Sequence, residues 1–117
     1  ALTPPDFHIY SGEDSVLLPM YCLGATGVVS VAGHLVGKEL QEMLQAYDRR
    51  DTERARELHY RYFNACTKLF ITTNPMPVKY AMKRLGFATG PCRLPMTWVN
   101  PQQAAEIDAM LAEIGLI

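Results

Sequence analysis

Two stretches hold the residue types and spacing that chemistry could use: Ser11-Gly12-Glu13-Asp14, and Ser30 to His34. The adjacent carboxylates Glu13 and Asp14 could work as an acid and base pair. Helix capping and favourable placement at the positive end of a helix dipole account for such a pair equally well, and Asp14 leans towards capping. Ser30 has no His–Asp pattern around it, so its hydroxyl is read as a backbone partner rather than a nucleophile. His34 is read as a loop residue near a pocket mouth. Cys22, Cys66 and Cys92 are odd in number and share no CxxC spacing. They read as free thiols, with Cys22 and Cys66 on apolar helix faces as small core residues. His8, His34 and His59 show no ligand spacing with each other or with the cysteines, so no metal site is expected.

The elements that must position these stretches come just before them. Thr26 to Gly33 reads Thr-Gly-Val-Val-Ser-Val-Ala-Gly, a short β-branched run bounded by Gly24, Gly27 and Gly33. Such a run predicts a strand, Gly27–Val31, buried on both faces. Phe7–Tyr10 is a second short strand, and Asp14 to Leu23 between them is helix-like, capped by Ser11 or Asp14, with Val16, Leu17 and Met20 inward. Strand, helix, strand over this length is a βαβ unit with parallel strands and a right-handed crossover. Ligands bind at the carboxyl ends of strands in such units, where both candidate stretches lie.

Beyond the second strand the period changes to that of helices. Val36, Leu40, Met43, Leu44 and Tyr47 form one amphipathic stripe. Asp51 or Thr52 caps a longer helix reaching about Ile71, with Ala55, Leu58, Tyr62, Cys66 and Leu69 inward. Its other face, Glu53, Arg54, Arg56 and Glu57, reads as a solvated surface. Asn74-Pro75-Met76-Pro77 breaks the chain. A helix with Val78, Ala81, Met82 and Leu85 on one face follows, stopped by Gly86. Phe87 to Val99 is a loop. Asn100-Pro101-Gln102-Gln103 then starts a helix with Asn as N-cap, Pro at N1 and Gln at N3. Ile107, Met110, Leu111 and Ile114 are its buried stripe, and Gly115 its end.

At 117 residues, 49% hydrophobic and 20% charged, the composition is that of one folded domain rather than a disordered chain. The net charge of -1 with scattered basic residues argues against a nucleic-acid or acidic-membrane partner. No apolar run approaches a membrane span and no signal peptide opens the chain, so a soluble, cytoplasmic protein is expected. Two parallel strands alone leave a problem, because their outer edges would offer unpaired N–H and C=O groups. Further strands must come from another chain or, the favoured reading, from a larger α/β protein of which this is the C-terminal piece.

Several of these motifs resemble a known family. Phe7 to Asp14, Gly24 to Val31, Asn74-Pro75-Met76-Pro77-Val78-Lys79, Gly86 and Arg93-Leu94-Pro95-Met96 fall in the order and spacing of the dihydrodipicolinate synthases. These belong to the pyruvate-dependent class I aldolase superfamily that includes N-acetylneuraminate lyase. The Asn-Pro-x-Pro-Val-Lys run and the later Arg-Leu-Pro resemble the synthase branch more than the neuraminate-lyase branch. The resemblance covers essentially all the chain but only the C-terminal part of a typical member. It implies an α/β fold: the last two parallel strands of a (β/α)8 TIM barrel plus a C-terminal helical domain. Residues 1–35 would be the last two βα units, and 36–117 the barrel helix and helical domain.

The resemblance further implies condensation of pyruvate with aspartate semialdehyde in lysine biosynthesis, through a lysine Schiff base and a proton-relaying tyrosine. Both residues would lie upstream of Ala1, leaving no catalytic residue here. It implies no cofactor, and a homo-oligomer that is a dimer of dimers in the family. The position matching Val29, where isoleucine is commoner, would place its backbone against pyruvate. Gly12, Glu13 and Asp14 would line the semialdehyde side, with Glu13 replacing a frequent aspartate. Lys38, Lys68, Lys79 and Lys83 are the only lysines, and none falls in an expected strand, so none is expected to be the nucleophile. Lys79 is expected to tie the interhelix turn with Asn74, Arg93 to be a structural anchor, and Trp98 to pack between domains. Two alternatives stand beside this reading: another pyruvate aldolase or lyase of the superfamily, and, in isolation, a non-catalytic helical assembly module.

Overall fold

The computed structural model describes residues 3–117, and the βαβ unit opens it. Strands β1 (Tyr10–Ser11) and β2 (Gly27–Val28) pair in parallel, Tyr10 opposite Gly27 and Ser11 opposite Val28. The connection is a 3-10 turn, Asp14–Val16, running into helix α1 (Leu17–Cys22). Four helices follow: α2 (Gly33–Asp48), α3 (Thr52–Lys68), α4 (Met76–Arg84) and α5 (Pro101–Glu113). The fold is therefore α/β, with parallel strands first and helices after.

The helices start and stop where their sequence chemistry demands. Asp51 caps α3, its Oδ1 accepting the Arg54 N–H at 3.1 Å. Asn100 and Gln103 form a reciprocal capping box, each side chain accepting the other's backbone N–H at 2.9 and 3.0 Å. Gly86 and Gly115 follow α4 and α5 with positive φ, the conformation that ends a helix most cheaply in glycine. The tight link from α2 to α3 has no glycine, and Arg50 takes that conformation instead, at φ 63°. The stripes then meet in one core: Leu17, Val36 and Met43 against Leu58, Cys66 and Leu69, with Ala81, Ile107 and Leu111 closing it.

Several expectations change. The strands are two residues each rather than Phe7–Tyr10 and Gly27–Val31. A strand is defined by its hydrogen-bonded neighbour, and the Phe7 N–H is taken by the Pro4 carbonyl in a turn. Nor is the run Gly27–Val31 covered on both faces, for Val29 is 75% exposed. Val16 is exposed because the 3-10 turn places it off the α1 stripe, and Cys22, last in a six-residue helix, is exposed as well. Helix α3 ends at Lys68, where 3-10 bonds from Phe70 to Thr67 and Ile71 to Lys68 tighten its last turn. Arg54 is not simply solvated: it bridges Glu42 of α2 at 2.7 Å and Glu57 at 2.9 Å.

Candidate functional site

The carboxyl ends of β1 and β2 lie side by side. The pairing runs one bond past each strand, since the Thr26 N–H donates to the Ile9 carbonyl at 2.7 Å and the Val29 N–H to the Ser11 carbonyl at 2.9 Å. That last bond sets Val29 beside Gly12, so residues 17 positions apart share one rim. Gly12, Glu13 and Val29 are all exposed there. An added Cβ at Gly12 would meet nothing within 4 Å, so open space lies in front of it.

The rim is held from behind by short polar contacts. The Ser11 hydroxyl, 1% exposed, donates to the Glu13 carbonyl at 2.7 Å and accepts the Glu13 N–H at 3.1 Å. Glu13, not Ser11 or Asp14, caps the following turn, its Oε1 accepting the Ser15 N–H at 3.2 Å and hydroxyl at 2.8 Å. Asp14 caps something else. Its side chain is 3% exposed, and Oδ2 accepts the N–H groups of Val31 at 3.0 Å and Ala32 at 2.9 Å, at the start of α2. The carboxylate is thereby turned to the backbone rather than to the rim. Ser30 acts on the backbone as expected, its Oγ accepting the Gly33 N–H at 2.7 Å.

Behind Asp14 stands Cys66 of α3. Burial, and then the negative charges of Asp14 and Glu13, push its thiol up to about 12, so it stays protonated and unreactive at neutral pH. Among the described residues no group of three or more His, Cys, Asp or Glu is placed to hold a metal ion.

The remaining candidates lie away from the rim. His34 is not in a loop but in the first turn of α2, where it lines a groove of about 270 Å³ against Val78, Lys79 and Met82 of α4. All four lysines are helical. Lys68 pairs with Glu106 at 2.7 Å, and Lys83 sits 4.8 Å above the Trp98 ring. Lys79 donates to the Pro91 carbonyl at 3.0 Å, and the Thr89 hydroxyl donates to the Lys79 carbonyl at 2.9 Å. Lys79 thus fastens the loop after α4 and not Asn74. The Arg93 side chain is exposed with no hydrogen-bond partner among the described residues, so nothing anchors through it here. Trp98 is half-buried in a groove of about 320 Å³ with Tyr80 and Arg84, and Arg84 in turn pairs with Asp108 at 2.7 Å.

Sequence reasoning missed the long-range partners of Asp14 and the burial of Ser11. No local pattern reports a carboxylate bonded to amides 17 and 18 residues later.

Comparison with known proteins places this rim in context. The profile of the Dihydrodipicolinate synthetase family matches residues 1–114. A 4-hydroxy-tetrahydrodipicolinate synthase of Nostoc punctiforme is 45% identical over 116 residues, covering 99% of this chain and 40% of that protein. Another from Listeria welshimeri is 43% identical over 111 residues, covering 95% of this chain and 38% of that protein. Among solved structures, a dihydrodipicolinate synthase of Cyanidioschyzon merolae with lysine bound superposes with TM-score 0.95 at 40% identity, over 98% of this chain and 39% of that one. The chain thus spans about two fifths of the length of the curated relatives it matches, given the 40% coverage of the Nostoc protein.

Proposed function

The chain belongs to the dihydrodipicolinate synthetase family, and on that premise we propose that it is the C-terminal part of a lyase joining pyruvate to aspartate semialdehyde through a lysine Schiff base. The observation that carries this is the shared rim. A chain matched by that family from residue 1 to 114 brings Gly12, Glu13 and Val29 together at the carboxyl ends of parallel strands. That end is where barrel enzymes of this architecture bind substrate.

In this reading the reacting lysine lies outside these residues, on an earlier strand. Its amine condenses with the pyruvate carbonyl and loses water, and removal of a methyl proton makes an enamine whose carbon attacks the semialdehyde. The part played here is positioning. The backbone at Val29 forms a wall against pyruvate, while Gly12 and Glu13 line the side entered by the aldehyde. None of the four lysines suits the nucleophile, because each is carried by a helix and three of them are engaged with Glu106, Pro91 or Trp98. A Schiff-base lysine needs desolvation to be neutral at physiological pH, and none of these four helix positions is buried. The enzyme works in the cytoplasm and as a homo-oligomer, and the exposed Tyr10 is covered by the rest of the barrel.

Borohydride trapping with pyruvate, followed by peptide mapping, tests this reading. The complete enzyme should gain one pyruvate adduct, on a lysine outside these residues. An adduct on Lys38, Lys68, Lys79 or Lys83 would overturn the assignment. Val29→Asp should raise the pyruvate KM by at least about tenfold, since it sets an unpaired carboxylate against the substrate's own.

A further inference from the structure

We propose that Asp14 is a positioning residue for the reaction, holding the Val29 backbone in place from beneath without touching substrate. This rests on the reading above, and goes beyond it by naming what fixes the pocket wall.

The argument is an accounting of amides at the corner where β2 turns into α2. The Val29 N–H goes to the Ser11 carbonyl, those of Val31 and Ala32 to Asp14, and that of Gly33 to the Ser30 hydroxyl. Two of these four bonds end on one carboxylate oxygen. Ala32 is fully buried and Asp14 nearly so, so bulk solvent does not compete with the carboxylate for these amides. Buried N–H groups left without acceptors are costly, and bonds to a charged acceptor are stronger than neutral ones. The corner can therefore shift only by giving up both bonds together.

Asp14 also joins the two halves of the rim. It follows Glu13 directly in sequence, so the Gly12–Glu13 loop and the Val29–Ala32 corner are tied through a single side chain. A small displacement of either changes where the Val29 backbone stands, and with it how well the wall fits bound pyruvate. Its second oxygen, Oδ1, is buried with no partner among the described residues. An asparagine could keep the acceptor for both amides but would set an NH2 group where no acceptor waits. Alanine would remove the acceptor altogether.

The experiment compares Asp14→Ala and Asp14→Asn in the complete enzyme, with steady-state kinetics for both substrates. Asp14→Ala should raise the pyruvate KM at least about tenfold. Asp14→Asn should fall between it and the wild type, and it provides the folded variant if the alanine form does not accumulate. Hydrogen exchange of the 29–33 peptide should speed up in the same order. Wild-type pyruvate KM in folded Asp14→Asn, with unchanged exchange, overturns the proposal. So does an equal loss of kcat in both variants with KM unchanged, which would make Asp14 a reacting group. Failure of the functional reading is told apart by the wild type, which would then trap no pyruvate while the exchange order still held.

Discussion

Apolar side chains in the strand region, residues 3–32, lie largely open, whereas those of the helical region, residues 33–117, close on one another. Phe7 is 60% exposed, Tyr10 54%, Leu23 90% and Val29 75%, while Val36, Leu69, Ile107 and Leu111 are at 1% or below. The helical region shows rings to solvent too, Tyr60 and Phe87 among them, yet each of its helices also buries a stripe. The contrast follows from where the backbone bonds go. A helix satisfies its own N–H and C=O groups and needs only one covered face. A strand needs a partner on each side, and a layer above and below, before its side chains are dry. With a single partner strand, β1 and β2 keep the register of a larger sheet but not its cover.

Three measurements would break or sharpen that contrast. The largest effect belongs to paired truncations read by denaturant unfolding of the chain. Leu111→Ala should cost about 2–5 kcal/mol through lost burial and the cavity left behind. Leu23→Ala should stay within about 0.5 kcal/mol, as an exposed position does. Comparable losses at both sites would mean that the strand region has a core of its own.

A smaller effect is expected at the capping box of α5. Asn100→Ala removes the acceptor for the Gln103 N–H and should cost about 1 kcal/mol, while Asn100→Ser should recover most of it. An unchanged midpoint would show that α5 is held by its buried stripe alone.

The smallest effect is a pH slope inside the helical region. His59, packed against the rings of Tyr60 and Phe63 at 5.6 Å each, is held below its usual range by burial. The unfolded chain therefore takes up that proton more readily than the folded one. Stability should fall as pH is lowered through about 6.5 and level off once the folded imidazole is charged as well. His59→Gln should flatten this slope, and a slope that persists would assign it to other groups.

Much of the architecture was legible because it is written in short-range terms. The stripes Val36–Leu40–Met43 and Ile107–Met110–Leu111, the caps Asp51 and Asn100, and the stops Gly86 and Gly115 all act within about one helical turn. The parallel pairing followed from reading strand, helix and strand in succession as one βαβ unit. That in turn placed Gly12 and Glu13 at the carboxyl end of the sheet, while Val29 entered only through the family resemblance.

The tertiary structure alone decided what those residues lean on. Ser11 or Asp14 reads in sequence as the cap of the turn that follows, and that role falls to Glu13, while the Asp14 carboxylate bonds the amides of Val31 and Ala32 instead. Arg54 reads as solvated until α2 brings Glu42 to it, and Lys79 reads as an anchor for Asn74 until the later loop brings Pro91 within reach. Cys22 and Cys66 look alike on paper, yet one is open and the other sealed behind Asp14. The physical reason is common to all of them. Periodicity and capping depend on neighbours a few residues away, which the sequence lists in order. A polar side chain instead takes whichever partner packing delivers, and packing joins residues that the order of the chain keeps apart.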